Sequence, residues 1–276
     1  PGAWYTIAID VIMPDGRTLQ VASCHHYRDQ WARAFDVKYE DESGNQQYVH
    51  QTTYGMSERL LGGIVASHGD DRGLVMPPSV APIQVVVIPI MSKDNSSNVI
   101  SESERITNEL KSSGIRARLD SRDIRPGQKY YDWEIKGVPL RIEIGPRDLA
   151  NNSVMYARRT GGKESHSMDN LVETVHSELK SISSEMSKHS SSHFNSRIKP
   201  LPKFKREGST LVFDQDIEKG IVYEMAFDGN DAEAEIIEKN TDLSFLGDST
   251  TPFDSDVQCC ITGKNTKRRV FLAKTY

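Results

Sequence analysis

The stretch Ile83-Gln84-Val85-Val86-Val87-Ile88-Pro89-Ile90 is the longest apolar run in the chain. A short apolar run that is bounded by prolines and rich in Val and Ile is typical of a β-strand. It is far shorter than the ~20 residues that a membrane span requires. The run therefore predicts a strand over 83–90 and excludes a transmembrane chain.

Downstream of this strand, short strands alternate with helical patterns. The predicted order is helix Val99–Ser113, strand Ile115–Leu119, helix Lys129–Lys136, strands Leu140–Ile144 and Val154–Arg158, and helix Met168–Met186. Such alternation indicates an α/β sheet with a partly parallel core. The tract Ser181–Ser196 is rich in Ser and His, and it predicts a frayed helix end or a linker.

The segments on either side of this α/β part have a different hydrophobic pattern. Upstream, the pattern predicts a hairpin (Trp4–Met13 with Thr18–Ser23), a helix (Tyr27–Phe35), a second hairpin (Lys38–Glu42 with Gln47–Thr53) and a helix (Ser57–Ser67). Pro77, Pro78 and Pro82 mark a linker before the α/β part. Residues Pro200–Tyr276 predict a small α+β domain.

Composition narrows the class of protein. The 276 residues favour roughly two domains. Lys and Arg number 34 against 39 Asp and Glu, a net charge of −5, so nucleic-acid binding has to be local. Three cysteines are too few for a disulfide framework, which favours a reducing, cytoplasmic setting. The start at Pro1, without an initiator Met or a signal peptide, suggests an excised piece of a longer protein.

Thr53-Tyr54-Gly55-Met56-Ser57-Glu58-Arg59 leads from a strand through a glycine turn into a helix. Backbone N–H groups at a helix start can face an anion, and an Arg one turn away can add a guanidinium to a phosphate. A nucleotide triphosphate is one interpretation. A tight turn with a solvated Arg59 is the alternative, and spacing by itself favours it.

Other clusters are weaker. Cys24, His25 and His26 cannot converge on a metal, because neighbouring residues of a strand point to opposite faces. The run from His68 to Gly73 contains Asp70, Asp71 and Arg72, and a structural turn is favoured over acid–base or Mg²⁺ chemistry.

Asp132-Trp133-Glu134-Ile135-Lys136-Gly137 ends a predicted short helix. Guanine presents both hydrogen-bond donors and acceptors, so Glu134 beside Lys136 could read the bases of a single-stranded RNA loop, with Trp133 or Tyr130 stacking. A solvated ion pair on an amphipathic helix is the alternative.

Several longer motifs, in order, give the chain a resemblance to class II prolyl-tRNA synthetase of the archaeal/eukaryotic type. They are Ala34-Phe35-Asp36, Arg59–Gly63, His68–Pro78, Ala81–Ile90, Trp133–Arg141, Gly145–Leu149 and the terminal Ala273-Lys274-Thr275-Tyr276. The resemblance spans nearly the whole chain. It implies that motif 1 and motif 2 of the catalytic domain lie ahead of Trp4, outside this sequence.

The resemblance implies a three-part architecture of α/β and α+β type. Residues 1–79 would be the end of the antiparallel class II catalytic domain with motif 3, 80–184 an α/β anticodon-binding domain with a mixed sheet, and 185–276 a small α+β C-terminal domain. The implied reaction is ATP-dependent activation of proline and its transfer to tRNA(Pro), with Mg²⁺ as cofactor, in a cytoplasmic homodimer. The fragment by itself is expected to be inactive. A non-catalytic tRNA-binding protein is the alternative.

Site residues are carried over from the resemblance by motif position. Arg59 would hold the ATP phosphates, Gly55 falls in motif 3, and the remaining substrate-site positions are Gln20, Ser23, His25, Tyr54 and Ser57. Glu134 and Lys136 fall in the anticodon-facing motif. The C-terminal carboxylate of Tyr276 would fold back towards the active site.

The family's zinc positions are degenerate in this sequence. The resemblance places Asp228, Glu233, Cys259 and Thr262 where the family has four cysteines. Structural Zn²⁺ prefers thiolates in a tetrahedron, and only one remains. The sequence therefore predicts no structural zinc.

Overall fold

The computed structural model describes residues 2–91 and 96–276. Two compact units make up the chain: Pro1–Gly63 together with His193–Tyr276 (the terminal unit), and Ile64–Ser192 (the central unit). The partition into domains 1–79, 80–184 and 185–276 stays a prediction. The predicted combination of α/β and α+β architecture is confirmed.

The elements follow one another as strands and helices in chain order. The strands are β1 (Tyr5–Ile12), β2 (Thr18–Arg28), β3 (Lys38–Glu40), β4 (Gln46–Tyr48), β5 (Gln51–Met56), β6 (Val85–Pro89), β7 (Ala117–Leu119), β8 (Leu140–Ile144), β9 (Ser153–Arg158), β10 (Lys163–Ser167), β11 (Ile198–Pro200), β12 (Phe204–Glu207), β13 (Thr210–Phe213), β14 (Val222–Ala226), β15 (Ser244–Asp248), β16 (Val257–Gln258), β17 (Asn265–Thr266) and β18 (Arg269–Ala273). The helices are α1 (Gln30–Ala34), α2 (Arg59–His68), α3 (Ser96–Ser112), α4 (Pro126–Ile135), α5 (Pro146–Ala150), α6 (Leu171–Arg197) and α7 (Asp231–Thr241).

The central unit is built on a five-stranded mixed sheet of order β10-β9-β8-β6-β7. Strand β6 pairs in parallel with both β7 and β8, whereas β8, β9 and β10 pair antiparallel. All five residues of β6 are buried, as its apolar composition requires. Strand β6, within the apolar run Ile83–Ile90, is therefore the centre of the parallel core.

Helices cover this sheet with regularly spaced apolar side chains. Helix α6 turns one stripe inward, at spacings of three and four residues, and α3 contributes a second. The buried residues of these stripes are Val99, Ile106 and Leu110 on α3 and Leu171, Val175, Leu179, Ile182 and Met186 on α6. The sheet and these helices form the main core of the central unit.

Of the two interpretations of Ser181–Ser196, the frayed helix end is wrong, whereas the boundary between the two units, at Ser192 and His193, does lie within this tract. Helix α6 continues through the whole tract to Arg197. The inward stripe persists at Ile182 and Met186, and serine hydroxyls are satisfied within the helix, as where Ser183 donates to the Leu179 carbonyl at 3.0 Å. Helix α5 and strand β10 were not predicted from the sequence.

The terminal unit contains two larger sheets. One is antiparallel, of order β1-β2-β5, and the other has the order β11-β14-β18-β15, with α7 packed against it. The apolar residues at its centre include Tyr223, Ile237, Val270 and Leu272. Because β2 extends to Arg28, the predicted helix Tyr27–Phe35 is reduced to the five residues of α1. The predicted strand Gln47–Thr53 is divided between β4 and β5.

Large apolar side chains remain exposed on the β1-β2-β5 sheet and on α2. They are Trp4, Tyr5, Ile7, Ile9, Tyr54, Met56, Leu60, Leu61 and Val65. None of the described helices is both long enough and apolar enough to cross a membrane.

Candidate functional sites

Strands β2 and β5 and the start of α2 border a shallow, solvent-open cavity of about 320 Å³ in the terminal unit, which we call the motif 3 cavity. Its lining comprises Gln20, Val21, Ala22, Ser23, Gly55, Met56, Ser57 and Arg59. The β2–β5 register places Ser23 opposite Gly55, and Val21 accepts a backbone hydrogen bond from Ser57 at 3.4 Å. The fold thus brings five of the seven predicted substrate-site residues together.

Arg59 is the first residue of α2 and is solvent-exposed. Its backbone N–H donates to the Ser57 hydroxyl at 3.4 Å, which orders the turn ahead of the helix. Among the described residues, no carboxylate lies within ion-pair distance of its guanidinium. The side chain is a cation at a helix start and can accept an anionic ligand.

His25 and Tyr54 do not line the motif 3 cavity. His25 follows Ser23 on the same face of β2; its ring nitrogens hydrogen-bond to the hydroxyls of Thr6 at 2.8 Å and Ser23 at 3.0 Å. Tyr54 pairs with Cys24, one step along the ladder, and is 77% exposed. His25 is therefore fixed by its neighbours, whereas the Tyr54 ring is open to solvent.

The C-terminal tail lies in a second cavity of the terminal unit, of about 280 Å³. Gln20 and Arg59 line this cavity too, together with Thr275 and Tyr276. Thr18 donates to the Lys274 carbonyl at 2.9 Å, and Tyr276 donates to the Thr18 carbonyl at 3.3 Å. The last residue of the chain is thereby held next to the predicted phosphate-binding arginine.

In the central unit, a basic cavity of about 410 Å³ lies between the end of α4 and the β9–β10 hairpin; we call it the α4 cavity. Among the described residues, Glu134 is the one acidic residue that lines it. The cations that line it are Arg72, Arg141, Arg158, Arg159 and Lys163. Each of these cations is ion-paired with a carboxylate of the central unit, so the cavity offers guanidinium and ammonium N–H donors rather than a large net positive charge. Such donors can still bind phosphate oxygens.

Glu134 and Lys136 lie at the C-terminal end of α4. The Glu134 carboxylate accepts from Arg72 at 2.8 Å and remains partly exposed. Lys136 follows the last helical residue, does not line the α4 cavity, and holds its ammonium 4.6 Å from the centre of the Trp133 ring. The acid and the base are thus adjacent at one helix end.

The interpretation of Trp133 as a stacking platform is wrong. The side chain is 5% exposed, its indole N–H donates to Asp120 at 2.7 Å, and Arg118 and Lys136 lie over its ring. Trp133 is a core residue that anchors α4. Tyr130 is half-buried, with the Arg141 guanidinium 4.1 Å from its ring centre.

The Glu143 carboxylate accepts hydrogen bonds from three side chains on one side of the α4 cavity. It accepts from Tyr130 at 2.9 Å, from Arg141 at 2.9 Å and from Lys163 at 2.8 Å. Burial by itself would raise the pKa of Glu143, but the hydrogen bonds from Lys163, Tyr130 and Arg141 lower it below its usual value. The carboxylate therefore remains charged and fixes two cations of the cavity wall.

The degenerate zinc positions lie near one another but already have other partners. Glu233 and Asn230 form a capping box at the start of α7, and Asp228 pairs with Lys264 at 3.5 Å. Burial raises the pKa of Cys259, but hydrogen bonds from Thr262 and from backbone N–H groups lower it overall. Cys259 is the one thiolate among the four positions and Thr262 is a poor ligand, so this donor set does not match the thiolate ligands of a structural zinc site.

Sequence reasoning missed most of the α4 cavity. Glu143 and Lys163 come from strand positions outside every motif named above, and Arg141 is only the last residue of the Trp133–Arg141 motif. Arg72 belongs to the run from His68 to Gly73 that was interpreted as a structural turn, yet it contacts Glu134. Only the proximity of those two segments in the fold gives Arg72 its place at the cavity.

Comparison with known proteins gives a consistent result. Residues 84–178 match the HGTP_anticodon family, an anticodon binding domain. The chain is 43% identical to the proline–tRNA ligase of Thermococcus kodakarensis, over 100% of this chain and 57% of the relative. It is also 43% identical to the proline–tRNA ligase of Methanococcoides burtonii, over 100% of this chain and 56% of the relative. The chain therefore spans a little more than half the length of these relatives.

A solved structure agrees with the sequence relatives. Giardia lamblia prolyl-tRNA synthetase, in complex with prolyl-adenylate, superposes with a TM-score of 0.88 at 29% identity. The match covers 100% of this chain and 59% of that structure.

Proposed function

We propose, from the similarity along the whole chain, that it belongs to the prolyl-tRNA synthetase family and that the protein that contains it is a proline–tRNA ligase. It would activate proline with ATP and transfer the prolyl group to tRNA(Pro). The observation that carries the proposal is the similarity to proline–tRNA ligases along the whole chain, at up to 43% identity. The two cavities supply chemistry that suits the two substrates.

The motif 3 cavity supports a role in binding ATP. Activation by attack of a carboxylate on the α-phosphate depends on orientation and on neutralising phosphate charge, which a guanidinium can supply. Arg59 lies at a helix start without a described carboxylate partner, beside Gln20 and Ser23. His25 and Tyr54 are proposed to meet the proline or adenylate end.

Because the chain spans little more than half of its relatives, we propose that it is inactive by itself. The complete enzyme would use Mg²⁺ with ATP and act in the cytoplasm as a homodimer. Pyrophosphate exchange that requires proline would be expected of the complete enzyme only.

The α4 cavity supports recognition of the anticodon. The proline anticodons share two guanines, whose edges offer donors and acceptors together. Glu134 can accept from guanine N–H groups, and Lys136 can donate to guanine oxygen or nitrogen. The surrounding arginines and Lys163 suit the RNA backbone.

Binding of an anticodon stem-loop to the chain tests this assignment. Fluorescence anisotropy would compare a proline stem-loop with one in which both guanines are replaced by adenine. We expect Glu134→Ala with Lys136→Ala to remove most of the preference, at about 1–3 kcal/mol for each lost contact. The matched control is Glu109→Ala with Lys111→Ala, an exposed acid and base at the same spacing on α3. An unchanged preference in the Glu134 and Lys136 double variant would reject the assignment.

A further inference from the structure

The segment Asp70–Met76, which we call the clamp segment, lies against the last turn of α4. Leu74 donates its backbone N–H to the Ile135 carbonyl at 3.0 Å, and Met76 donates to the Gly137 carbonyl at 3.2 Å. A Cβ atom at Gly73 would lie 2.6 Å from the Ile135 Cα, so the two backbones touch. The clamp segment is thus bound to the part of the chain that carries Glu134 and Lys136.

Arg159 joins the clamp segment to α4. Its side chain is 2% exposed, and its guanidinium donates to both carboxylate oxygens of Asp70. The same guanidinium donates to the Gly73 carbonyl at 3.2 Å and to the Glu134 carbonyl at 3.1 Å. The planar guanidinium, with its five N–H donors, thus holds four acceptor atoms of three residues in one arrangement.

Arg72 then connects the clamp segment to the Glu134 side chain. Its guanidinium donates to the Glu134 carboxylate at 2.8 Å and lies 3.5 Å from the Asp70 carboxylate. Asp70 is therefore shared between Arg159 and Arg72. The hydrogen bond from Arg159 holds the pKa of Asp70 far below its usual range, so the carboxylate is charged at neutral pH.

We propose that Asp70, Arg159 and Arg72 are positioning residues that orient the Glu134 carboxylate for reading the anticodon. The inference rests on the proposed function, because it requires Glu134 to contact RNA. Arg159 fixes the backbone of Glu134 and Arg72 fixes its carboxylate, while Asp70 holds both arginines. Loss of this arrangement would lower the preference for the guanine-containing loop more than it lowers general affinity for RNA, since phosphate contacts elsewhere in the α4 cavity remain.

The alternative is that these residues only stabilise the fold of the central unit. In that case their replacement would lower the melting temperature but leave the ratio of RNA affinities unchanged. The two roles therefore predict different ratios of RNA affinities, and a change in stability by itself does not alter that ratio.

The test measures dissociation constants of the chain for the two stem-loops described above, together with the melting temperature. Asp70→Asn keeps the shape of the side chain but removes its charge, and Arg159→Lys keeps the charge but removes the guanidinium fork. We expect each to reduce the affinity ratio by about tenfold, mainly through weaker binding of the guanine loop. Affinity for the adenine loop should change by less than about twofold.

Arg72→Gln provides a variant that is expected to fold, because the Arg72 side chain is 57% exposed. It removes the contact to the Glu134 carboxylate directly. It therefore tests the positioning role even if Asp70→Asn and Arg159→Lys do not fold. The control is Glu109→Gln, which breaks a 2.7 Å pair with Arg105 on α3 and should leave the ratio unchanged. A wild-type ratio in Arg72→Gln and in the folded Asp70 or Arg159 variants overturns the inference alone. No preference in the wild-type chain overturns the proposed anticodon function and this inference together.

Discussion

The hydroxyl of Tyr276, the last residue of the chain, donates a hydrogen bond to Asp15 at 2.9 Å across 261 positions of sequence. The Arg17 guanidinium lies 5.4 Å from the centre of the same tyrosine ring. With the backbone bond to Thr18, these contacts hold the tail beside Arg59 and Gln20. The position suits a segment that helps to organise the substrate site.

Deletion of Tyr276 from the complete enzyme should lower the rate of proline-dependent pyrophosphate exchange by more than about tenfold, because small displacements in a substrate site are costly. Tyr276→Phe removes only the bond to Asp15 and keeps the backbone bond to Thr18, so we expect less than about a twofold change. Steady-state exchange kinetics of the two variants test this. An unchanged rate after deletion would limit the tail to a packing role.

Arg59→Ala in the complete enzyme should weaken proline activation by about 2–4 kcal/mol, because one charge-assisted contact to the reacting phosphates is lost. The effect should appear in kcat/KM for ATP in the exchange assay. Arg206→Ala, an exposed arginine on β12, is the control and should leave exchange unchanged. Wild-type exchange in Arg59→Ala would exclude the phosphate-binding assignment.

Gly137→Ala should destabilise the central unit by about 2–4 kcal/mol through backbone strain and overpacking. Gly137 has φ +69°, and a Cβ atom there would lie 2.7 Å from the Leu74 carbonyl carbon. Gly114→Ala is the matched control, since Gly114 has φ +85° with no neighbouring atom within 4 Å of the added Cβ. It should cost only about 1–2 kcal/mol. Equal losses in urea unfolding would show that close packing of the clamp segment does not contribute.

Asp120 should make stability depend on pH in the acid range. Its side chain is 1% exposed. Burial raises its pKa, but hydrogen bonds from Arg122 and Trp133 outweigh burial and lower the pKa to about 2. A folded pKa below the unfolded value of about 3.9 gives stability that is present above pH ~4 and is lost as the pH falls towards 2.

Asp120→Asn should therefore reduce the free energy of unfolding on the order of 1–2 kcal/mol at pH 5–7, and the difference from wild type should shrink below pH ~4. Urea unfolding at several pH values measures it. Asp123→Asn, at an exposed neighbouring position, should give the wild-type profile. A difference that stays constant from pH 7 to 2.5 would contradict this explanation.

A chelator should leave the melting temperature of the chain unchanged, because a metal bound only to the folded state would otherwise raise it. Glu233→Ala should lower the free energy of unfolding by about 1 kcal/mol whether or not chelator is present. The reason is that the Glu233 carboxylate accepts from the Asn230 backbone N–H in the capping box of α7. Calorimetry and elemental analysis provide the measurements. Stoichiometric zinc whose removal lowers the melting temperature strongly would overturn the prediction.

Local pattern was sufficient for the regular elements of the central unit. The apolar run at Val85–Pro89 fixes a buried strand, and Leu140–Ile144 is a strand with the predicted bounds. Motif order indicated the family, which the comparisons support along the whole chain. These features depend on side-chain periodicity and on residue identity within short segments, so they can be predicted without knowledge of the tertiary structure.

Tertiary structure decided what lies together. Helix α6 continues through Ser181–Ser196 because Ile182 and Met186 are buried in the core of the central unit. The polar composition of this tract does not predict that burial. Leu60, Leu61 and Val65 recur on one face of α2 at helical spacing, yet Leu61 is 58% exposed. A periodic pattern identifies an apolar face but does not supply the element that would cover it.

The sequence by itself determined the residue types of the candidate sites, Arg59 at a helix start and Glu134 beside Lys136 at a helix end. Only the tertiary structure brought Asp70 to Arg159, 89 positions away, and Arg72 to Glu134, 62 positions away. The physical reason is that hydrogen bonds and ion pairs act over a few ångströms of space. Residues distant in sequence reach that range only after the buried sheet and its helices have fixed the backbone.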